Sequence, residues 1–351
     1  MEPPDEQAKL ARLMQISVLE RVERRRPRRR RRWPLVLLVL AVAVGLAAFG
    51  AHELRGGSRP RSQQAKHTAP SPVPTRHRHG TAISAPPLLT GPPRPLLGAR
   101  SPVSERVFKP RFTSASSILV DARTGRVLWA HSPHKRRLIA STTKIMTAVV
   151  ALERLHLGTR ITIARAVPKT EPFREGLRRG ERVPVWKLLY GLMLFSGNDD
   201  ALALAIASGG SRTGFITLMN RKARQLRLDD TRFASPSGLV DVGNYSTAWD
   251  LAALARYAMA NPRFREIVRT RIVRVHWAAP TYGKTYVNRN QLLISYRGAD
   301  GVKTGWTTLA GHCLVASAHR GRVRLIAVVL RARDPYRDAT RLLNFGFELE
   351  G

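Results

Sequence analysis

The sequence predicts an α+β fold, an antiparallel sheet flanked by helices plus a helical subdomain. Two observations carry that expectation. β-rich runs stand at both ends of the region after residue 106, and apolar residues at helical spacing fill the stretch between them. Helices packed on an antiparallel sheet bury both kinds of apolar face in one layered arrangement. No internal repeat suggests a solenoid or an array.

The first elements lie in "SSILVDARTGRVLWAHSP", where residues 118–120 and 127–130 flank a turn at Gly125. From 142 to 155 the apolar spacing is helical, as it is in 185–195, 199–207, 214–225 and 247–259. Strands return in "DGVKTG", "HCLVASA" and "VRLIAVVL", with a turn at 319–322 between the last two. The chain closes on the helix-like "DPYRDATRLLNFGFELE".

The segment ahead of this region has a different character. Residues 1–32 are polar and end in "RRRPRRRRR", and the uncharged "WPLVLLVLAVAVGLAAFGA" follows at 33–51. Its 19 residues, at ~1.5 Å each, nearly match a hydrocarbon core of roughly 30 Å. The basic block before it predicts a cytoplasmic N-terminus, with all later residues outside the membrane. The expected order is a basic cytoplasmic segment, 1–32, and a single-pass signal-anchor, 33–51. A cleaved signal peptide is the alternative, with 48–50 as a weak small-x-small site. Residues 52–105 are rich in Pro, Ser, Arg, His and Gly and read as a disordered linker. A flexible tether of that length reaches about 40 Å. The folded domain is then expected over 106–351.

The formal net charge is +36. It is shared between the two parts: residues 1–105 hold 19 Lys/Arg against 7 Asp/Glu, and 106–351 hold 41 against 17. So basic a folded part is drawn to polyanions such as anionic lipid or a charged wall polymer. Nucleic acid would require the C-terminal part to face the cytoplasm, against the topology argument, and is not expected. The single cysteine, Cys313, excludes an intramolecular disulfide framework and reads as a small buried hydrophobe.

Three short patterns could carry chemistry: Ser141-Thr142-Thr143-Lys144, Ser196-Gly197-Asn198 and Lys303-Thr304-Gly305. Each alone has an ordinary reading: Lys144 as a solvated helix residue, Ser196 as a helix N-cap, Lys303 as a strand-end charge. Their order is that of the S-x-x-K, S-x-N and K-T-G patterns of penicillin-recognising serine enzymes, and each sits at a fitting helix start, interhelical loop or strand. A serine hydroxyl needs a base, and lysine can be one only as a neutral amine. Ser141 at a helix start also feels the positive end of the dipole. Asn198 offers a paired donor and acceptor to a substrate amide. Lys303 and Thr304 suit a carboxylate, and Gly305 allows close backbone approach. Asp199 and Asp200 read as first-turn charges that complement the helix dipole.

From about residue 108 onward the chain resembles the D-alanyl-D-alanine carboxypeptidases, the low-molecular-mass penicillin-binding proteins. The likeness extends to "ILVDARTGRVLWA", "LMLFSGNDDALALA" and "FASPSGLVDVGNYSTAWDLAALARYAM". It implies a β-lactamase/DD-peptidase-like fold and removal of the terminal D-alanine from peptidoglycan stem peptides. By that resemblance Ser141 is the nucleophile, Lys144 its base and Ser196 a proton shuttle. Asn198, Lys303, Thr304, Gly305 and Trp306 bind substrate. The oxyanion hole is the backbone N–H of Ser141 and Trp306, and the strand carrying Lys303 pairs with the extended peptide. β-Lactams are expected ligands, and neither a cofactor nor a metal is needed. Ser237, Trp249 and Trp306 depart from the residues more usual in the family and are expected to border the cleft.

Two rival readings stay within or near this class. A DD-endopeptidase differs only in its leaving-group side, and a catalytically inactive wall-binding protein would lack a motif residue, which this chain does not. A class A β-lactamase adds a glutamate that activates the deacylating water, yet no glutamate lies between Asn198 and Glu266. No G-x-S-x-G elbow, H-E-x-x-H helix or phosphate-binding glycine loop is present.

Overall fold

The computed structural model describes residues 111–350 except 171, 240–242 and 277–282. The expected basic segment, anchor and linker lie outside the described residues. Among those described, no single helix is long and apolar enough to cross a membrane.

In chain order, β1 (Ser116–Asp121) and β2 (Val127–His131) form a hairpin, and β3 (Arg137–Leu138) leads through a 3-10 turn, Ala140–Thr143, into α1 (Lys144–Arg154). The ladder of β4 (Arg160–Thr162) and β5 (Arg182–Pro184) precedes α2 (Val185–Tyr190). That helix widens into a π-helical turn, Gly191–Phe195, before α3 (Asn198–Gly209) and α4 (Arg212–Gln225). β6 (Tyr245–Ser246) pairs back onto β3, and α5 (Ala248–Ala260) and α6 (Pro262–Arg269) follow. β7 (Ile272–Val275) and β8 (Lys284–Val287) pair with each other. Then come β9 (Ala299–Thr307), β10 (Gly311–Arg320), β11 (Val323–Ala332) and α7 (Pro335–Glu350).

The main sheet runs β2-β1-β11-β10-β9, antiparallel throughout. Both its faces are covered. On β11, Ile326, Val328 and Leu330 join the large core beneath the helical layer, whereas Leu325, Ala327 and Val329 pack with Leu342, Leu343 and Phe345 of α7. A strand buried on both faces reads as an unbroken apolar run, which is why "LIAVVL" shows no alternation. The α+β expectation and its principal elements are met. β3 to β8 have two to four residues each, too few for a periodic pattern. Long-range pairing makes them.

One boundary differs from the sequence reading. Helical spacing starts at Thr142, but the α-helix starts at Lys144. Thr142 donates both its backbone N–H (3.1 Å) and its hydroxyl (2.6 Å) to the Ile139 carbonyl, closing a tighter turn there.

Cys313 is buried toward the helical layer as expected, and burial pushes its thiol up to about 11. It should resist alkylation in the native protein under mildly alkaline conditions and react once the chain is denatured, read by mass spectrometry. α7 is anchored by Asp338, whose carboxylate accepts from Thr113 N (2.9 Å), Thr113 Oγ1 (2.9 Å) and Ser114 N (2.7 Å). Asp338→Ala strands these donors and is expected to cost about 3 kcal/mol in urea unfolding.

Candidate active site

The 3-10 turn that carries Ser141 is set by its neighbours. Ala140 lies in the left-handed region at φ 46, which turns the chain so that Ser141 stands half-buried three residues ahead of Lys144. Two glycines let other segments close on this turn. A Cβ at Gly305 would lie 3.0 Å from Ser141 N and 3.1 Å from Thr142 N. A Cβ at Gly238 would lie 2.0 Å from the Ala140 carbonyl oxygen, and Gly238 itself has φ +76. β9 and the 235–238 loop therefore press on the turn from two directions.

Lys144 is fully buried, and three oxygens surround its Nζ: Ser141 Oγ at 3.1 Å, Asn198 Oδ1 at 2.8 Å and the Ser237 carbonyl at 2.8 Å. Two of these can only accept. The Asn198 amide is oriented by its Nδ2, which donates to the Pro172 carbonyl at 2.5 Å. A neutral amine has two N–H bonds, which Asn198 and Ser237 take up. Its lone pair is then left for the Ser141 hydroxyl. The arrangement makes Lys144 an acceptor for the serine proton in its neutral state. Ser237, expected as a cleft-border side chain, contributes its backbone oxygen to this arrangement.

β9 is an edge strand of the sheet, so its outer edge is open to pair with an extended peptide. Lys303, in its middle, is buried and donates to the Thr304 carbonyl at 3.0 Å. The reading of it as a strand-end surface charge is thus excluded. Burial, with the charges of Lys144 and Arg289 beside it, holds the Lys303 amine well below the usual lysine range. A carboxylate arriving at this strand would favour its protonated form. Thr304 is half-buried, and Trp306 is exposed with its ring 6.0 Å from that of His312. Sequence reasoning missed Arg289, whose guanidinium lies 5.6 Å from the Phe173 ring and 5.1 Å from the Phe195 ring. The flanking asparagines hold it: Asn288 Nδ2 donates to the Val268 and Thr270 carbonyls, and Asn290 Nδ2 to the Gly301 carbonyl of β9. Two asparagines bracketing an arginine were the available signal.

The second motif joins two elements. Ser196 is the left-handed C-cap of the π-helical turn, at φ 72 and 5% exposed, and Gly197, not Ser196, is the N-cap residue of α3. Asp199 and Asp200 stand in the first turn of α3, as expected, and both are buried. Asp199 accepts from the backbone N–H groups of Glu175, Gly176 and Leu177, which pins that loop to the helix. Burial pushes the Asp200 carboxyl well above the usual carboxylate range.

Asn198 and Ser237 also line a cleft of about 470 Å³ that runs beside Lys169 and Leu202 toward Arg212. The Trp249 ring lies tilted against that of His134 at 4.7 Å, and the Trp249 backbone N–H donates to the Pro133 carbonyl.

A serine facing a buried lysine amine, beside an open edge strand, suits acyl transfer through a serine ester. The frame around it is the fold of the penicillin-recognising serine enzymes. The family model for D-alanyl-D-alanine carboxypeptidase, peptidase family S11, matches residues 103–334, and the chain belongs to that family. It is 40% identical over 262 residues to a D-alanyl-D-alanine carboxypeptidase of Streptomyces sp. strain K15, covering 69% of this chain and 90% of that one. It is 35% identical to the D-alanyl-D-alanine carboxypeptidase DacF of Bacillus subtilis strain 168, covering 66% of this chain and 61% of that one. The crystal structure of the Streptomyces K15 DD-transpeptidase superposes with a TM-score of 0.65 at 37% identity, covering 69% of this chain and all of that one.

Gly305→Ala places a methyl against the nucleophile turn. It should slow acylation of Ser141 by on the order of tenfold while the protein stays folded, because a small displacement at the reacting atoms is costly. Stopped-flow acylation beside a thermal melt separates the two effects.

Proposed function

We propose that the chain is a membrane-anchored serine D-Ala-D-Ala carboxypeptidase that removes the terminal D-alanine from peptidoglycan stem peptides. The observation that carries this reading is the contact of Lys144 Nζ with Ser141 Oγ at 3.1 Å, with Asn198 and Ser237 occupying the other directions around the amine.

The peptide lies along the open edge of β9. Its terminal carboxylate meets Lys303 and Thr304, and its amide meets Asn198. Ser141 Oγ attacks the carbonyl of the penultimate D-alanine while its proton passes to Lys144. The backbone N–H groups of Ser141 and Trp306 face the developing oxyanion. As the tetrahedral intermediate collapses, the C–N bond breaks and a proton reaches the departing amine by way of Ser196. Water then hydrolyses the ester at Ser141. With no glutamate between Asn198 and Glu266, the residue that speeds this step in class A β-lactamases is missing from the corresponding part of the sequence. A β-lactam adduct should therefore persist. The apolar segment 33–51 anchors the chain with its N-terminus in the cytoplasm and its catalytic domain outside. The basic surface favours anionic lipid or wall polymer.

Intact mass spectrometry of the full chain in detergent, after incubation with benzylpenicillin, tests this reading. One lasting adduct per chain is expected, absent from Ser141→Ala. A folded wild type with no adduct refutes the reading. Release of D-alanine from a pentapeptide distinguishes a carboxypeptidase from an endopeptidase, which cuts cross-linked dimers. An added amino acceptor distinguishes hydrolysis from transfer.

A further inference from the structure

Beneath the second motif lies a buried ionic cluster that the acylation mechanism does not use. Glu175 and Lys187 side chains are 2% and 0% exposed and form an ion pair. The other Glu175 oxygen accepts from the Tyr286 hydroxyl, and its backbone carbonyl accepts from Lys284 Nζ. Glu175 thereby ties the 172–177 loop to α2, through Lys187, and to β8, through Lys284 and Tyr286. The same loop aims the second motif: Phe173 O accepts from Asn198 N at 2.9 Å, and Pro172 O accepts from Asn198 Nδ2 at 2.5 Å. Those two bonds turn Asn198 Oδ1 toward Lys144.

We propose that Glu175 and Lys187 are positioning residues for the reaction, a buried strut that holds the 172–177 loop and hence sets Asn198 against Lys144. This rests on the acyl-enzyme reading of the site. The strut is built of charges where apolar contacts would serve for stability alone, and it therefore responds to pH. Lys187 faces Glu175 from the loop, Asp199 and Asp200 from α3, and Lys284 and Tyr286 from β8. Glu181 and Arg178 act on Lys284 from the side. Asp200 approaches Lys187 only to 3.9 Å, and among the described residues no hydrogen bond reaches either of its oxygens. Its carboxyl is wedged against Gly191 and Gly197, where added Cβ atoms would lie 2.5 and 2.0 Å from it. Burial favours its neutral form, which leaves Glu175 as the principal counter-ion of Lys187. Burial, with the Lys284 charge beside it, lowers the Lys187 amine, and the Glu175 carboxylate in contact with it opposes that shift. Where the amine gives up its proton, the ion pair loses its positive member and its grip on the loop weakens.

The test is the pH profile of benzylpenicillin acylation of the full chain, for wild type, Lys187→Met and Glu175→Gln. The wild-type rate should turn downward on the alkaline side, where Lys187 gives up its proton, on top of whatever rise the base contributes. Lys187→Met should acylate on the order of ten times more slowly at its best pH, and its profile should lack that downward limb. Glu175→Gln keeps the shape and the tyrosine contact but removes the counter-ion, so its limb should move to lower pH. A general loss of stability would lower rates without moving the limb. If Lys187→Met fails to fold by circular dichroism, the limb displacement in Glu175→Gln decides. Wild-type acylation with both variants within twofold and an unmoved limb overturns the strut alone. A wild type that is not acylated overturns the acyl-enzyme reading, and the strut with it.

Discussion

Three lysine amines, Lys144, Lys187 and Lys303, are buried from water. An ammonium taken out of water costs several kcal/mol unless oxygens replace its hydration, and where they do so incompletely the neutral amine gains. The structure around the site follows from how each amine is supplied. Lys144 receives one side-chain oxygen, one backbone oxygen and the serine. Among the described residues Lys303 receives one backbone carbonyl, at 3.0 Å, and sits beside two positive charges, so it is held ready for an incoming carboxylate. Lys187 receives a carboxylate within an otherwise covered cluster.

Supplying those oxygens requires backbone to come very close to backbone. The Ser237 carbonyl reaches Lys144 because the 235–238 loop crosses the nucleophile turn at Gly238, where no side chain fits. The Lys303 strand reaches the same turn at Gly305. The helical layer, the loop and the sheet edge thus meet around one turn of four residues, Ala140–Thr143. Asp199 serves the same end from another side, since its carboxylate gathers three backbone donors of the 172–177 loop that supplies acceptors to Asn198.

Much of this was legible in the residue order. The three motifs lie close together in space, with Lys144 touching both Ser141 and Asn198 and Gly305 set against the Ser141 backbone. The strand runs and helical spacings place the main elements to within a few residues, because an apolar period reports a buried face directly. Arg289 was missed although two asparagines bracket it, since its place beside Lys303 depends on how the 288–298 connection between β8 and β9 folds back. Asp199 and Asp200 were legible as first-turn acids, but their burial was not: it comes from the 172–177 loop on Asp199 and from Gly191 and Gly197 against Asp200.

Sequence by itself determined the reaction type and the layered fold, because both rest on patterns along the chain: three motifs in a fixed order with the family resemblance they carry, and apolar periodicity. Tertiary structure alone decided which lysines lie dry and what answers them. Desolvation depends on every segment that closes over a group, and in this chain those segments come from positions as distant as Pro172, Ser237 and Arg289.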